Sequence, residues 1–176
     1  MDISIEVAWR LEDAFKRIRR GHLDVSGRIV ILDNLTNNVR GGKKHAPDSP
    51  DEFIAKVDEL RHMILGRGAR DLRVMQIKPM RYVDVRPYNE RLHHYLLDCP
   101  DPTYGCRTQI RMNFLKADGF HIHPMYYSVL DRTYACALLA VEVPCPTPDD
   151  DYVPMEVRRN YQRDWPRLAG GENEGP

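Results

Sequence analysis

Apolar residues recur along the chain in patterns that switch between helical and extended spacing. Val7, Leu11, Ala14, Phe15 and Ile18 fall three and four apart with Trp9 beside them, which predicts an amphipathic helix within the first twenty residues. A continuous run follows, Ile29 to Leu32, of the kind buried on both faces in a parallel sheet. Polar residues then take over from Asp33 to Asn38.

"SPDEFIAKVDELRHMILGRG" carries the strongest helix pattern. Ser49 with Glu52 makes a capping box, Pro50 takes the first helical position, and Phe53, Ile54, Val57, Leu60, Met63 and Ile64 form the stripe. Gly66 or Gly68 ends it. "LRVMQI", residues 72 to 77, reads as a second strand stopped by Pro79. A third helix runs from Asp84 as cap to Leu97 with Tyr88, Leu92, Tyr95 and Leu96 on its face.

In "TQIRMNFL", Ile110, Met112 and Phe114 alternate with Arg111 and Asn113, so this segment is expected as the third strand, half-buried, or as an irregular approach to the next loop. A last helix is expected from Pro124 to about Val141. Residues 146–176 read as a Pro- and acid-rich tail with a possible short helix near Met155 to Trp165, leaving 1–145 as one α/β domain. The alternation of helices and strands predicts a three-layer sandwich around a mostly parallel sheet. Ligands in such folds sit at the carboxyl ends of the strands, which puts residues 33–38 and 118–123 on one rim.

Composition narrows the partners. The 26 basic and 26 acidic side chains cancel, so no global field draws the chain to nucleic acid or anionic lipid. "KRIRR" (16 to 20) and "RGGKK" (40 to 44) are read as solvated ends rather than binding patches. No apolar run approaches the ~18 residues of a membrane span, and the start lacks the order of a signal peptide, so a cytoplasmic location is expected. Reduced thiols follow for Cys99, Cys106, Cys136 and Cys145; Cys99 and Cys106 bracket a turn-rich loop that a disulfide would close only in a secreted protein.

Two polar stretches carry the candidate chemistry. "ADGFHIHP" places Asp118 three residues before His121 across a glycine turn, and "IVILDNLTNN" ends an apolar strand in a run of amides. Together these resemble the SGNH, or GDSL-like, hydrolase family, in which a GxND loop after a strand lines the oxyanion hole and a later DxxH loop supplies the Asp and His of the triad. The resemblance runs from about residue 5 to residue 140 and includes the helix, turn and strand between the two loops.

It implies that Asp118 and His121 are the acid and base, that Asn37 is the oxyanion donor, and that Thr36 and Asn38 line the substrate site; an ester or acyl substrate is expected, with no cofactor and no metal. An amide aimed at a developing oxyanion typically contributes ~2.7 to 4 kcal/mol. A histidine base contributes about 10² to 10⁴ in rate.

The chain departs from the family twice. Leu35 and Asn38 stand where the motif has its Gly and Asp, and no GDS serine occurs: Ser4, Ser26, Ser49 and Ser128 lie in no strand-to-helix elbow. The expectation is therefore a truncated or degenerate domain whose first strand and nucleophile lie upstream. Losing that strand would bare the edge of "RIVIL", which invites a second copy or a partner segment. The catalytically impaired binding or assembly module is the leading reading, and an esterase completed by an upstream serine is the second. A small zinc module is the third, with His121 and His123 joined by His93, His94 or a cysteine.

Overall fold

The computed structural model describes residues 10–33, 35–100 and 102–139. The expected tail, Ser4, Val7, Trp9 and Cys145 lie outside them, as does the domain boundary near residue 145.

The first helix, α1, runs Leu11–Arg19 and buries Leu11, Ala14 and Ile18, three members of the expected stripe. Strand β1, Ile29–Leu32, follows, and then a short helix α2, Thr36–Arg40, where a polar loop was expected. Helix α3, Pro50–Gly66, starts at the full capping box: Glu52 N–H donates to Ser49 Oγ, and Ser49 N–H donates to the Glu52 carboxylate. Pro50 has no N–H to leave unpaired, and two of the three remaining orphan amide groups of the helix start are satisfied this way. Its stripe buries Phe53, Val57, Leu60 and Ile64 in the main core.

Strand β2 is Asp71–Met75, helix α4 is Arg86–Asp98 and strand β3 is Thr103–Cys106. Asp84, the expected cap of α4, accepts from Arg86 N–H at 3.1 Å. The chain then passes through 3-10 turns at Met112–Phe114 and Pro124–Tyr126 into helix α5, Tyr127–Leu139.

The third strand corrects the expectation. "TQIRMNFL" does not enter the sheet; β3 is "TYGC", in the stretch read as a turn-rich loop. Ile110 N–H bonds to Thr108 Oγ1 instead of a strand, and Ile110, Met112 and Leu115 form their own buried cluster with Val129 and Leu130 of α5. The alternation was real, but it packs against a helix.

The sheet is open, parallel and ordered β1-β2-β3 among the described residues. Register pairs Val30 with Leu72 and Leu32 with Val74. These four side chains join the core built by α1, α3 and α4. Ile31, Met75 and Cys106 turn the other way and meet Ala137 of α5. Among the described residues β1 pairs on one side only, and Ile29, Val30 and Ile31 are half-buried.

Cys99 and Cys106 are both free thiols, the first capping α4 and the second buried in β3. Among the described residues no helix is long and apolar enough to cross a membrane.

Candidate active site at the carboxyl rim

The loop that carries the Asp-x-x-His stretch is built by its own backbone. Leu115 bridges Ile122, Lys116 N–H bonds His121 O at 2.7 Å, and Gly119 N–H bonds Lys116 O at 2.9 Å. Gly119 sits at φ +68°, and a Cβ there would lie 2.5 Å from Arg81 Cβ, so the turn needs glycine for conformation and for space. Asp118 Oδ1 accepts from Phe120 N–H at 2.8 Å and His121 N–H at 2.9 Å. Its other oxygen lies 2.6 Å from His121 Nδ1.

This arrangement fixes the imidazole tautomer, because Nδ1–H donates to the carboxylate and Nε2 is left as the basic nitrogen. Desolvation pushes the Asp118 carboxyl up, but the His121 ring and the two backbone N–H groups outweigh it and hold the group at about 2. Both side chains are exposed, 45% for Asp118 and 63% for His121, so the pair faces solvent rather than the core.

A second group of side chains stands beside this loop. Asp33 follows the last residue of β1, and Lys78 lies three residues past the end of β2. Lys78 Nζ donates to the Phe120 carbonyl and lies 4.2 Å from the centre of the Phe120 ring. The Arg40 guanidinium, from α2, lies 4.2 Å from the same ring centre. Tyr134 of α5 donates its hydroxyl to Asp33 Oδ2 at 2.5 Å. The loops after β1 and β2, the 116–123 loop and α5 therefore meet at the carboxyl end of the sheet.

The electrostatics of this group follow from crowding. Desolvation drives the Asp33 carboxyl up to about 6 against the Tyr134 hydrogen bond and the Lys78 charge. Asp33 is itself exposed, and its access to water tempers the shift. Desolvation, with help from Arg40, lowers Lys78 to about 8 against the charges of Asp33 and Asp118. The Tyr134 phenol rises through desolvation first, then through the Asp33 charge and hydrogen bond and the charge of Asp131.

The amide residues fare differently. Asn38 is fully buried and its side chain is committed: Oδ1 accepts from Leu11 N–H at 2.9 Å, and Nδ2 donates to Asp48 at 2.6 Å and Glu12 at 3.1 Å. Lys56 and Arg10 complete this network. Asn38 thus caps α1 from another element and does not line a substrate site, a correction of its expected role. Thr36 and Asn37 are half-buried in the first turn of α2. Among the described residues no hydrogen bond joins Asn37 to Asp118 or His121; Arg40, three residues on, makes the contact with Phe120 instead.

Sequence reasoning passed over Asp33, Lys78, Arg40, Phe120 and Tyr134 as site residues. The available signal was position: Asp33 and Lys78 are the first charged side chains after the apolar runs that become β1 and β2. Tyr134 carried no such mark. Among the described residues no group of three or more His, Cys, Asp or Glu side chains is placed to hold a metal ion. The serines within the described residues are Ser26, Ser49 and Ser128, of which Ser49 is the α3 cap and Ser128 lies within α5.

No family model, no curated protein and no solved structure matches the chain.

Proposed function

We propose that the chain is an SGNH-hydrolase-like domain that keeps the acid–base half of an acyl-hydrolase site, lacks its own GDS serine, and acts as a catalytically impaired binding or assembly domain. The observation that carries this reading is the Asp118–His121 pair, 2.6 Å apart on a backbone-braced loop at the carboxyl rim of a parallel sheet. Helices against both faces of the sheet support the sandwich architecture, and β1, an edge strand among the described residues, leaves one side open to a neighbouring segment.

In the complete site a hydroxyl from that neighbouring segment would attack the ester carbonyl. His121 Nε2 would take the hydroxyl proton and return it to the leaving alkoxide, while Asp118 stabilises the imidazolium. Without the hydroxyl, the rim binds an acyl group and turns it over slowly or not at all.

Two measurements test the reading together. Hydrolysis of p-nitrophenyl acetate is expected to be the same for the wild type and His121→Ala, and sedimentation velocity over a concentration series is expected to show self-association through β1. A strictly monomeric protein would overturn the assembly reading. A wild-type rate that falls by about 10² or more in His121→Ala would favour an active esterase with its nucleophile elsewhere in the chain.

A further inference from the structure

The Phe120 carbonyl that accepts from Lys78 belongs to the peptide bond whose nitrogen is that of His121, and that nitrogen donates to Asp118. A force on this carbonyl therefore acts on the peptide plane that carries the imidazole. The Phe120 ring is held by two cations, Lys78 and Arg40, each 4.2 Å from its centre. The turn is further held by Arg81, whose N–H bonds Gly119 O at 2.9 Å. Lys78 alone bonds the Phe120–His121 peptide from a neighbouring strand end among the described residues.

We propose that Lys78 is the positioning residue of this rim: its amine clamps the Phe120–His121 peptide that seats the Asp118–His121 pair, and holds it more tightly as an ammonium than as a neutral amine. The inference rests on the proposed function in treating that pair as the acid–base pair of the site.

The charged groups that act on the amine are Asp33 after β1, Arg40 on α2 and Asp118 on the loop; Arg81 flanks the turn, and Tyr134 of α5 bonds Asp33. The two carboxylates favour the charged amine, while Arg40 and the loss of water oppose it, leaving it at about 8. Below that pH the amine is an ammonium and makes both the charge-assisted hydrogen bond and the cation–π contact. Above it a neutral amine keeps a weaker hydrogen bond and loses the attraction to the ring.

The test is an amide NMR titration of the wild type, Lys78→Arg and Lys78→Met. In the wild type the Gly119, Phe120 and His121 amide signals are expected to shift with a midpoint near 8. In Lys78→Arg, which stays charged, that transition is expected to vanish, while the transition belonging to Asp33 remains. In Lys78→Met the signals are expected to show no transition near 8, with hydrogen exchange at Phe120 and His121 faster by about tenfold than in the wild type.

The absence of a transition near 8 in the wild type, or its persistence in Lys78→Arg, overturns the proposal, and the wild-type titration decides the matter even if a variant fails to fold. None of these readouts uses ester turnover. A protein that shows the transition but gives a monomer with His121-dependent hydrolysis sinks the binding-domain reading alone, and one that associates without the transition sinks the Lys78 clamp alone.

Discussion

Replacing Asn38 by aspartate gives the position the residue type of the GxND motif that the loop resembles, and the structure says it will destabilise the fold. The amide nitrogen of Asn38 lies 2.6 Å from Asp48 Oδ2 and 3.1 Å from Glu12 Oε2. In Asn38→Asp an oxygen takes that place, fully buried and facing two carboxylates. Lys56 and Arg10 offset part of the repulsion. The repulsion that remains raises the new carboxyl by about two units above its ordinary ~3.9. At pH 7.5, above the raised value, a shift of two units costs about 3 kcal/mol at ~1.36 kcal/mol per unit.

The sign of the pH dependence follows. The folded variant binds a proton that the unfolded chain releases above ~3.9, so its deficit is full above the raised value and shrinks as pH falls toward ~3.9. Urea unfolding followed by circular dichroism at pH 7.5 and 4.5 should give deficits of about 3 and about 1 kcal/mol relative to wild type at the same pH. Asn38→Ala is the control: it strands Leu11 N–H and removes a donor from Asp48, at a cost of ~2 to 3 kcal/mol that does not vary over this range. A deficit for Asn38→Asp below about 1 kcal/mol at pH 7.5, or one that is flat with pH, would refute the account of Asn38 as a donor between carboxylates.

Three further outcomes are expected. Ser49→Ala removes half of the α3 capping box and should lower stability by about 1 kcal/mol in the same urea assay, with no effect on the rim. Gly119→Ala forces a side chain into φ +68° and against Arg81, so it should cost at least ~1 kcal/mol and move the His121 amide NMR signal, whereas Gly21→Ala, at φ +72° in open space, should leave that signal in place. The Asp118 carboxyl is held at about 2, so its stabilising contacts are complete above the unfolded value near ~3.9 and are lost as pH falls through about 2. Asp118→Asn should therefore flatten the acid end of the stability curve, and an unchanged curve would count against the hydrogen bonds assigned to Asp118.

The helices were legible because their signals are local. The Ser49 to Glu52 box and the three-and-four stripe of α3 need no tertiary information, and β1 declared itself as four apolar residues between polar ones. β3 was hidden for the same reason: "TYGC" has one aromatic residue, a glycine and no stripe, and it is a strand because β2 offers it a ladder of hydrogen bonds. The strand-like alternation of Ile110 and Met112 answers to α5, a helix that follows later in the chain.

At the rim, Asp118 and His121 could be found because both halves of the pair lie within four residues of sequence. Lys78 bonds Phe120, between them, from 42 positions away, and Tyr134 reaches Asp33 across 101, distances over which single-sequence patterns carry nothing. Asn38 shows the opposite failure, a residue at a motif position whose buried contacts make it part of the scaffold.

The one-sided pairing of β1 has a consequence for how a fourth strand would be chosen. A strand margin is read mainly through main-chain N–H and C=O groups, which are alike in every segment, so it discriminates poorly among sequences that can lie flat against it. Tethering then outweighs fit: a segment on a short covalent leash competes at an effective concentration in the millimolar range, far above that of a free rival. Linear proximity, more than surface matching, would decide which chain fills the seat beside Ile29 to Leu32.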